Sequence, residues 1–376
     1  MKRETVDTKD IKLPQRLQSL DALRGFDMFF IMGGAALLAT LVHFFPTPFF
    51  EGLARQMEHA SWNGLRHHDT IFPLFLFIAG ISFPFSYAKQ RAQGKTGGEI
   101  YRKIIQRGLV LVFLGVVYNG FLTTLDFANQ RYASVLARIG LAWMFAALIF
   151  IRTKTVVRIW LTGGILIGYW GLCMIGAPDA AGADPFSHDG CLAGYIDRLL
   201  LPGRLYEGNF DPEGLLSLIP AIATALMGML TGEWVKRNDV SEGRKVLYMV
   251  AAGAVLLVVG LLWSHVFPIN KKLWTSTFVC VVGAYSVLMF ALFYFLIDVC
   301  NLRKWSFPLV VIGMNSITIY LAQAFIHFGY TSEKVFGGFV KLFPQTCQPT
   351  LKELFYTLVC WLFLYFLYRK RIFLKV

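Results

Sequence analysis

Long apolar segments alternate with short polar connections along the whole chain, and this pattern predicts a bundle of membrane-spanning helices. Each segment is about 20 residues long, the length that an α-helix needs to cross a hydrocarbon core of about 30 Å. We place ten helices, at 22–44, 69–88, 105–124, 135–151, 157–176, 214–235, 246–266, 275–298, 305–328 and 352–369. The predicted fold class is an all-α polytopic membrane protein.

Composition supports this prediction. Apolar residues make up 56% of the chain and charged residues only 16%, whereas a soluble protein carries about 25% charged residues. The net charge of +13 could indicate a nucleic-acid partner. However, the basic residues stand in short clusters between apolar segments, which is typical of membrane topology. We therefore expect a lipid bilayer and no nucleic acid.

The basic residues also predict an orientation. An even number of helices puts both termini on one side, and 25 of the 36 Lys and Arg residues lie on that side, which the positive-inside rule assigns to the cytoplasm. We expect a cytoplasmic arm over 1–21, one transmembrane domain over 22–370 and a cytoplasmic tail over 371–376. The long loops 45–68, 177–213 and 329–351 would then lie outside.

The stretch from His59 to Asp69 has the densest set of proton-handling side chains, and it also contains Trp62 and Asn63. Histidine suits proton transfer near neutral pH. All seven histidines fall in outer loops or at outer helix ends, namely His43, His59, His67, His68, His188, His265 and His327. We predict acid/base catalysis by His59, oriented by Asp69, on the outer side.

A metal site is the weaker alternative in this stretch. His59, His67, His68 and Asp69 could offer ligands, but adjacent histidines point in different directions and no cysteine is near. We expect no metal. The six cysteines show no metal-ligand spacing, and a disulfide between Cys191 and Cys347, both in outer loops, is left open.

On the cytoplasmic side, Asp21, Arg24 and Asp27 open the first helix. Asp27 lies about a turn inside the membrane, where an unpaired carboxylate costs a few kcal/mol, and Arg24 at i−3 is its expected partner. Two interpretations stay open. Asp21 could cap the helix while Arg24 reaches the headgroups, or these charges could anchor a charged cytoplasmic ligand.

Other polar groups also allow two interpretations. The basic residues from Lys89 to Arg107 suit a positive-inside loop or a seat for phosphates. Polar groups such as Asn119 within the apolar segments suit interhelical hydrogen bonds. In the long loop 177–213, carboxylates lie among aromatic residues and suit either a sugar or amine ligand or plain solvation. Asp211 to Gly214 also resembles a helix start.

Six blocks in this order resemble the heparan-alpha-glucosaminide N-acetyltransferase family of transmembrane acyltransferases. They are Arg16–Gly25, His59–Gly64 followed by Asp69 and Phe72-Pro73, Gly194–Arg198, Asp211–Gly214, Asn270–Trp274 and Gly313–Ser316. The resemblance implies an enzyme that takes acetyl-CoA from the cytosol and acetylates the amino group of a terminal glucosamine on the opposite side. It also implies that His59 is the active histidine.

On these grounds we predict roles for polar residues along the chain. The catalytic candidates are His59, Asp69 and Asn63. The candidates for binding acetyl-CoA are Arg24, Asp27, Arg107, Asn119, Asn315 and Tyr320. The candidates for binding the amino sugar are Trp62, His188, Asp197, Arg198, Asp211 and Glu213.

This sequence departs from the animal members of the family in two respects. It has Ala35 where they carry an asparagine late in the helix before His59. It also lacks their luminal N-terminal domain and first helix, from which we expect a bacterial homologue in the inner membrane with a periplasmic His59. A homodimer is left open, as is the choice between a ternary-complex and a ping-pong route.

Two other functions remain as alternatives. The same fold could O-acetylate an envelope glycan. The products formed from free-amine and N-blocked sugars would distinguish this O-transfer from N-transfer. The intramembrane charges could instead line the path of a glycan or lipid transporter, which would move its substrate without consuming acetyl-CoA.

Overall fold

The computed structural model describes residues 17–374, which are mostly helical. The expectations that fall on residues 1–16, including Arg16, and on 375–376 lie outside the described residues. The helices are α1 Gln18–Phe29, α2 Ala35–Thr40, α3 Pro48–Gln56, α4 His67–Ala92, α5 Gly97–Tyr118, α6 Phe121–Thr124, α7 Val135–Arg152, α8 Thr155–Cys173, α9 Leu192–Leu200, α10 Leu218–Val235, α11 Glu242–Trp263, α12 Ser276–Tyr294, α13 Phe307–Met314, α14 Ser316–Phe325, α15 Phe328–Val340 and α16 Gln348–Arg369.

Within residues 17–374, eight helices are long and apolar enough to cross a membrane. They are Gln18–His43, His67–Ala92, Val135–Arg152, Thr155–Ala180, Leu218–Val235, Glu242–Trp263, Ser276–Val299 and Gln348–Arg369. The pair α13 and α14, which meets at an angle of 67°, makes a ninth if it is one broken span. The all-α polytopic membrane fold is confirmed.

Residues 17–374 thus contain eight or nine candidate spans, fewer than the ten predicted. Helix α5 begins eight residues before the predicted span 105–124 and ends six residues before its end. Arg102, Lys103 and Arg107 occupy its N-terminal half, so it is not apolar enough over a full membrane thickness. The long connections also contain helices that the apolar pattern does not show, because α3, α9 and α15 are short and amphipathic or partly polar.

The first span is irregular in the middle. Helix α1 passes through a π turn over Phe30–Gly34 into α2, and Gly33 adopts a left-handed φ of 128° within it, which favours glycine. The two ends of this turn differ in packing. Residues before it are largely buried, whereas α2 beyond Ala35 is half-exposed. The turn therefore marks where the first span leaves the centre of the bundle.

Helices α4, α10 and α12 form the centre of the bundle. Their apolar side chains include Leu76, Phe77, Leu226 and Val282, all fully buried. By contrast, α11 and α8 present most of their surface outwards, as helices in contact with lipid do. Helix α4 thus runs through the interior from the loop that carries His59 to the opposite end of the bundle.

The six cysteines are all free thiols. The disulfide left open between Cys191 and Cys347 is not formed in this structure. Cys191 instead caps α9, where its sulfur accepts a hydrogen bond from the backbone N–H of Gly194 and donates one to the carbonyl of His188.

Candidate active site

His59 and Asp69 form a hydrogen-bonded pair at the start of α4. The imidazole Nδ1 of His59 lies 2.8 Å from Oδ1 of Asp69. The two side chains differ in accessibility, since 53% of the His59 side chain is exposed and only 1% of Asp69. A buried carboxylate therefore holds one nitrogen of an imidazole whose remaining edge is open, which is the usual arrangement of an oriented general base.

The backbone fixes Asp69 in this position. Its Oδ2 accepts hydrogen bonds from the backbone N–H groups of Ala60 at 3.1 Å and Arg66 at 3.0 Å. Asp69 is the third residue of α4, so its carboxylate caps the helix and also closes the loop from residue 59 to residue 66. The folding of this loop thus aims the carboxylate at His59.

Lys271 completes the cluster from a distant part of the chain. Its Nζ lies 3.0 Å from Nδ1 of His59 and 3.3 Å from Oδ1 of Asp69. Burial lowers the pKa of the Lys271 ammonium, and the Asp69 carboxylate opposes that shift. A cation, a carboxylate and an imidazole therefore meet within hydrogen-bonding distance of one another.

The loop that carries Lys271 is tightly structured. Asn270 is fully buried, accepts a hydrogen bond from the Leu273 N–H, and donates one to the side-chain oxygen of Asn63. Trp274 has a left-handed φ of 53°, and its indole donates to Thr224. Asn63 thus connects the loop that carries His59 to the loop that carries Lys271. Its catalytic role stays a prediction.

Trp62 and His188 belong to a neighbouring cluster beside this site. The indole N–H of Trp62 donates to the carbonyl of Phe186 at 2.8 Å, and its ring lies 5.3 Å from the His188 ring. His188 contacts Asp189 through Nδ1 and Glu207 through Nε2. Both ring nitrogens of His188 are therefore hydrogen-bonded. Trp62 and His188, two of the predicted sugar-binding residues, lie next to each other.

Asp211 and Glu213 hold Arg131. The guanidinium donates two hydrogen bonds to Asp211, at 2.7 and 2.9 Å, and one to Glu213 at 2.5 Å. Asp211 also accepts from the backbone N–H groups of Tyr206 and Glu213 and is 1% exposed. All of its acceptor positions are used within the protein, so its predicted contact with the sugar is indirect in this arrangement.

Asp197 and Arg198 lie on α9 and point in different directions. Asp197 is fully buried against Gly214, and its Oδ1 accepts from the Leu215 N–H while Oδ2 has no partner among the described residues. Burial raises the pKa of Asp197 to about 6. Arg198 bonds Asp179 and the carbonyl of Asn209. Both residues therefore stabilise the conformation of the long loop 177–213.

Three positive residues near this site were not among the predicted site residues. Lys271 lies in the Asn270–Trp274 block, which was a visible signal. Arg138 is a charge inside an apolar segment, which was another signal. It is buried, bonds the carbonyl of Pro212 and the hydroxyl of Ser217, and lies 4.8 Å above the Trp274 ring. Arg131 shows no signal in the sequence.

A second polar cluster lies towards the other end of α4. Arg24 donates to the Ser82 hydroxyl at 3.1 Å and to Asp21 at 3.4 Å. Arg107 stacks on the Trp143 ring at 4.3 Å and feels the repulsion of the Arg24 charge. Within residues 17–374 no carboxylate pairs with Arg107, and its buried Nε has no hydrogen-bond partner. The structure thus brings the two predicted phosphate-binding arginines near each other.

The predicted pair of Asp27 with Arg24 is wrong. Arg24 lies with Asp21 and Ser82, while Asp27 is 1% exposed and its Oδ2 has no partner among the described residues. Both carboxylates stand three residues from Arg24, and the hydroxyl on α4 draws the guanidinium away from the interior.

The remaining cofactor candidates lie apart. Asn119 ends α5 and donates to the carbonyls of Arg131 and Ala133. Tyr320 stacks on Tyr118 with ring centroids 4.7 Å apart. Asn315 sits at the break between α13 and α14 and donates to the carbonyl of Ile372. These contacts bring none of the three to Arg24 and Arg107.

Within residues 17–374, no three His, Cys, Asp or Glu side chains lie close enough together to hold a metal ion. What the site offers is an open imidazole nitrogen, a carboxylate that orients the ring, and a nearby ammonium. This combination can accept and return a proton.

Comparison with known proteins identifies relatives over most of the chain. A family model described as heparan-alpha-glucosaminide N-acetyltransferase, catalytic, matches residues 16–269. The chain is 27% identical to the human heparan-alpha-glucosaminide N-acetyltransferase, over 97% of this chain and 60% of that protein. It is also 27% identical to the mouse protein of the same name, over 98% of this chain and 62% of that protein. The chain therefore spans about 60% of the length of these relatives.

Proposed function

Because the chain belongs to the heparan-alpha-glucosaminide N-acetyltransferase family, we propose that it transfers an acetyl group from acetyl-CoA to the amino group of a glucosamine-type sugar across the membrane. The donor would bind from the cytoplasmic side and the sugar from the outer side. The observation that carries this proposal is the His59–Asp69 pair, with its carboxylate buried and its imidazole edge exposed.

His59 acts as the proton acceptor in this proposal. Asp69 accepts the hydrogen on Nδ1 and so leaves the lone pair of Nε2 free towards the open edge. The acceptor amine is an ammonium at neutral pH and attacks only after it loses a proton, which Nε2 can take. Asn63 and Asn270 hold the two loops at the distance this geometry needs.

The second cluster supports the choice of donor. Arg24 and Arg107 place two guanidinium groups near the end of the bundle opposite His59, and guanidinium is well suited to phosphate. Thirteen residues of α4 separate Asp69 from Ser82, the partner of Arg24, which corresponds to about 20 Å along the helix axis. A long, phosphate-bearing thioester could thus be held at one end and react at the other.

A gap in the packing lies between the two clusters. A cavity of about 30 Å³ is lined by residues of α1, α4, α7 and α14, among them Met28, Phe72, Phe75 and Tyr320. Irregular or broken helices at membrane depth commonly line ligand paths, and the bend between α13 and α14 faces α1 here. We propose that the donor arm enters at this position, with the helices moving apart to admit it.

The aromatic and polar surface around Trp62 and His188 is the proposed acceptor site. Trp62 lies under the Lys272 ammonium, which itself bonds Glu207. Flat aromatic faces and charged groups of both signs suit a sugar that carries an amine. Asp211 and Glu213 support this surface through Arg131 rather than through the sugar itself.

Transfer across a sealed membrane tests the proposal. The chain is reconstituted in proteoliposomes with acetyl-CoA on one face and a membrane-impermeant glucosaminide on the other, and the products are measured by mass spectrometry. We expect N-acetylated sugar from the wild type and a loss of at least about 10²-fold in kcat for His59→Ala.

His43→Ala is the matched control, because His43 is an exposed histidine outside the His59 cluster. Wild-type transfer by His59→Ala would overturn the proposed role. Acetylation of an N-blocked glucosaminide at the same rate would indicate O-transfer instead, and sugar movement without acetyl-CoA consumption would indicate a transporter.

A further inference from the structure

We propose that Lys271 is a positioning residue whose ammonium makes His59 return the proton that it accepts, an inference that rests on the proposed acetyl transfer. Lys271 lies 212 positions from His59 in the chain, yet its Nζ is 3.0 Å from the imidazole Nδ1. It contacts the nitrogen that faces Asp69, and it leaves the opposite edge of the ring open.

Asp69 and Lys271 are the charged groups nearest the imidazole, and they lie on its Nδ1 side, 3.3 Å from each other. His68 is another titratable ring nearby, with its centroid 4.5 Å from that of His59. Arg66 and Glu58 bond each other at 2.7 Å, so their charges offset one another. Glu213 and Arg138 act on Lys271 with opposite signs. The balance nearest His59 is therefore between one carboxylate and one ammonium.

The proposed reaction requires His59 to accept and then to give up a proton. Nε2 first takes a proton from the acceptor ammonium, and the neutral amine attacks the thioester carbon. The C–N bond forms, the C–S bond breaks, and the electron pair of that bond remains on sulfur. The thiolate then takes the proton from Nε2–H, and the second amine proton leaves through His59 to water. The net products are the amide, the thiol and one proton.

Asp69 alone would oppose the second half of this cycle. A buried carboxylate beside an imidazole stabilises the imidazolium, which would then hold its proton. The Lys271 ammonium cancels that carboxylate, so the pair adds no net charge beside the ring.

The pH profile of kcat/KM tests this role. In Lys271→Met the cation is gone, the imidazolium persists to higher pH, and fewer molecules carry the free base. We expect the acid limb of the profile to move up by about one pH unit, so that the rate below the limb falls about tenfold. Lys271→Arg keeps the charge and should restore the limb to within a few tenths of a unit.

Lys341→Met, which removes an exposed lysine, is the matched control and should leave the profile unchanged. Thermal melting of each variant in detergent checks that the fold survives. A rate of Lys271→Met that falls equally at every pH, or a limb that Lys271→Arg fails to restore, overturns the inference while His59→Ala still tests the acetyl transfer itself.

Discussion

The two ends of α4 differ in how their charges are balanced. At the end with His59, two buried carboxylates lie beside cations, Asp69 with Lys271 and Asp211 with Arg131. At the end with Arg24, Arg107 has no carboxylate partner among the described residues and lies close enough to Arg24 for mutual repulsion. The first end thus holds cations in ion pairs, and the second holds one arginine that no carboxylate of residues 17–374 pairs with.

This difference indicates that the two ends of α4 have different functions. Balanced charges hold side chains in a fixed geometry before any ligand arrives, which is what a reacting group needs. The buried Arg107 guanidinium, which has no carboxylate beside it among the described residues, costs free energy until an anion joins it, so it suits a site that is completed by its ligand. Three changes test whether the two ends really differ in this way.

The largest effect on stability is expected from removing the cation of a buried ion pair. Arg131→Met leaves Asp211 and Glu213 without their cation, and loss of one partner of a buried ion pair costs about 3–5 kcal/mol. We expect a clear fall in Tm in detergent, measured by differential scanning fluorimetry. Arg204→Met, at an exposed arginine of the same region, should melt like the wild type. Equal melting of both variants would contradict the structural role of Arg131.

A smaller effect is expected at the end with Arg107. Arg107→Gln removes a proposed phosphate-binding group, so KM for acetyl-CoA should rise about tenfold with little change in kcat. Acetyl-pantetheine, which lacks the nucleotide phosphates, should give the same KM for both proteins. Arg102→Gln, on an exposed position of the same helix, serves as the control. A rise in KM for both donors would exclude phosphate binding at Arg107.

The smallest effect concerns Asp197. Its folded pKa of about 6 lies above the usual value of about 4, so the protonated form favours folding. That contribution is present below about pH 4 and is lost as pH rises through 6. Asp197→Asn should therefore raise stability above pH 6 by about 1–2 kcal/mol and flatten the dependence of Tm on pH. Glu51→Gln, at an exposed carboxylate, should leave the pH dependence of Tm unchanged. If Asp197→Asn kept the wild-type dependence of Tm on pH, the raised pKa of Asp197 would be refuted.

The parts of the molecule that depend on neighbouring residues could be predicted from the sequence. The helix positions follow from apolar segments of membrane length. His59 and Asp69 meet because only ten residues separate them and the start of α4 aligns the carboxylate with the loop. The family resemblance is confirmed by the match to residues 16–269, which contains four of the six blocks, and by the alignment of 97% of this chain with the human relative.

Contacts between distant segments could not be predicted. Lys271 reaches His59 only because the buried Asn270 and the left-handed Trp274 fold their loop into a tight turn. The partner of Arg24 depended on Ser82 in another helix, so the spacing that favoured Asp27 was insufficient. Asp211 looked available for a sugar because its contact with Arg131, 80 residues away, leaves no trace in the sequence.

The crossing of α1 and α13 depends on glycine in both helices. Gly25 and Gly313 bring the two backbones so close that a Cβ on Gly25 would lie 1.7 Å from the carbonyl oxygen of Leu309. Small residues allow membrane helices to approach this closely. A side chain at either glycine would therefore push the two helices apart, so this contact fixes how near the first span lies to the broken pair α13 and α14.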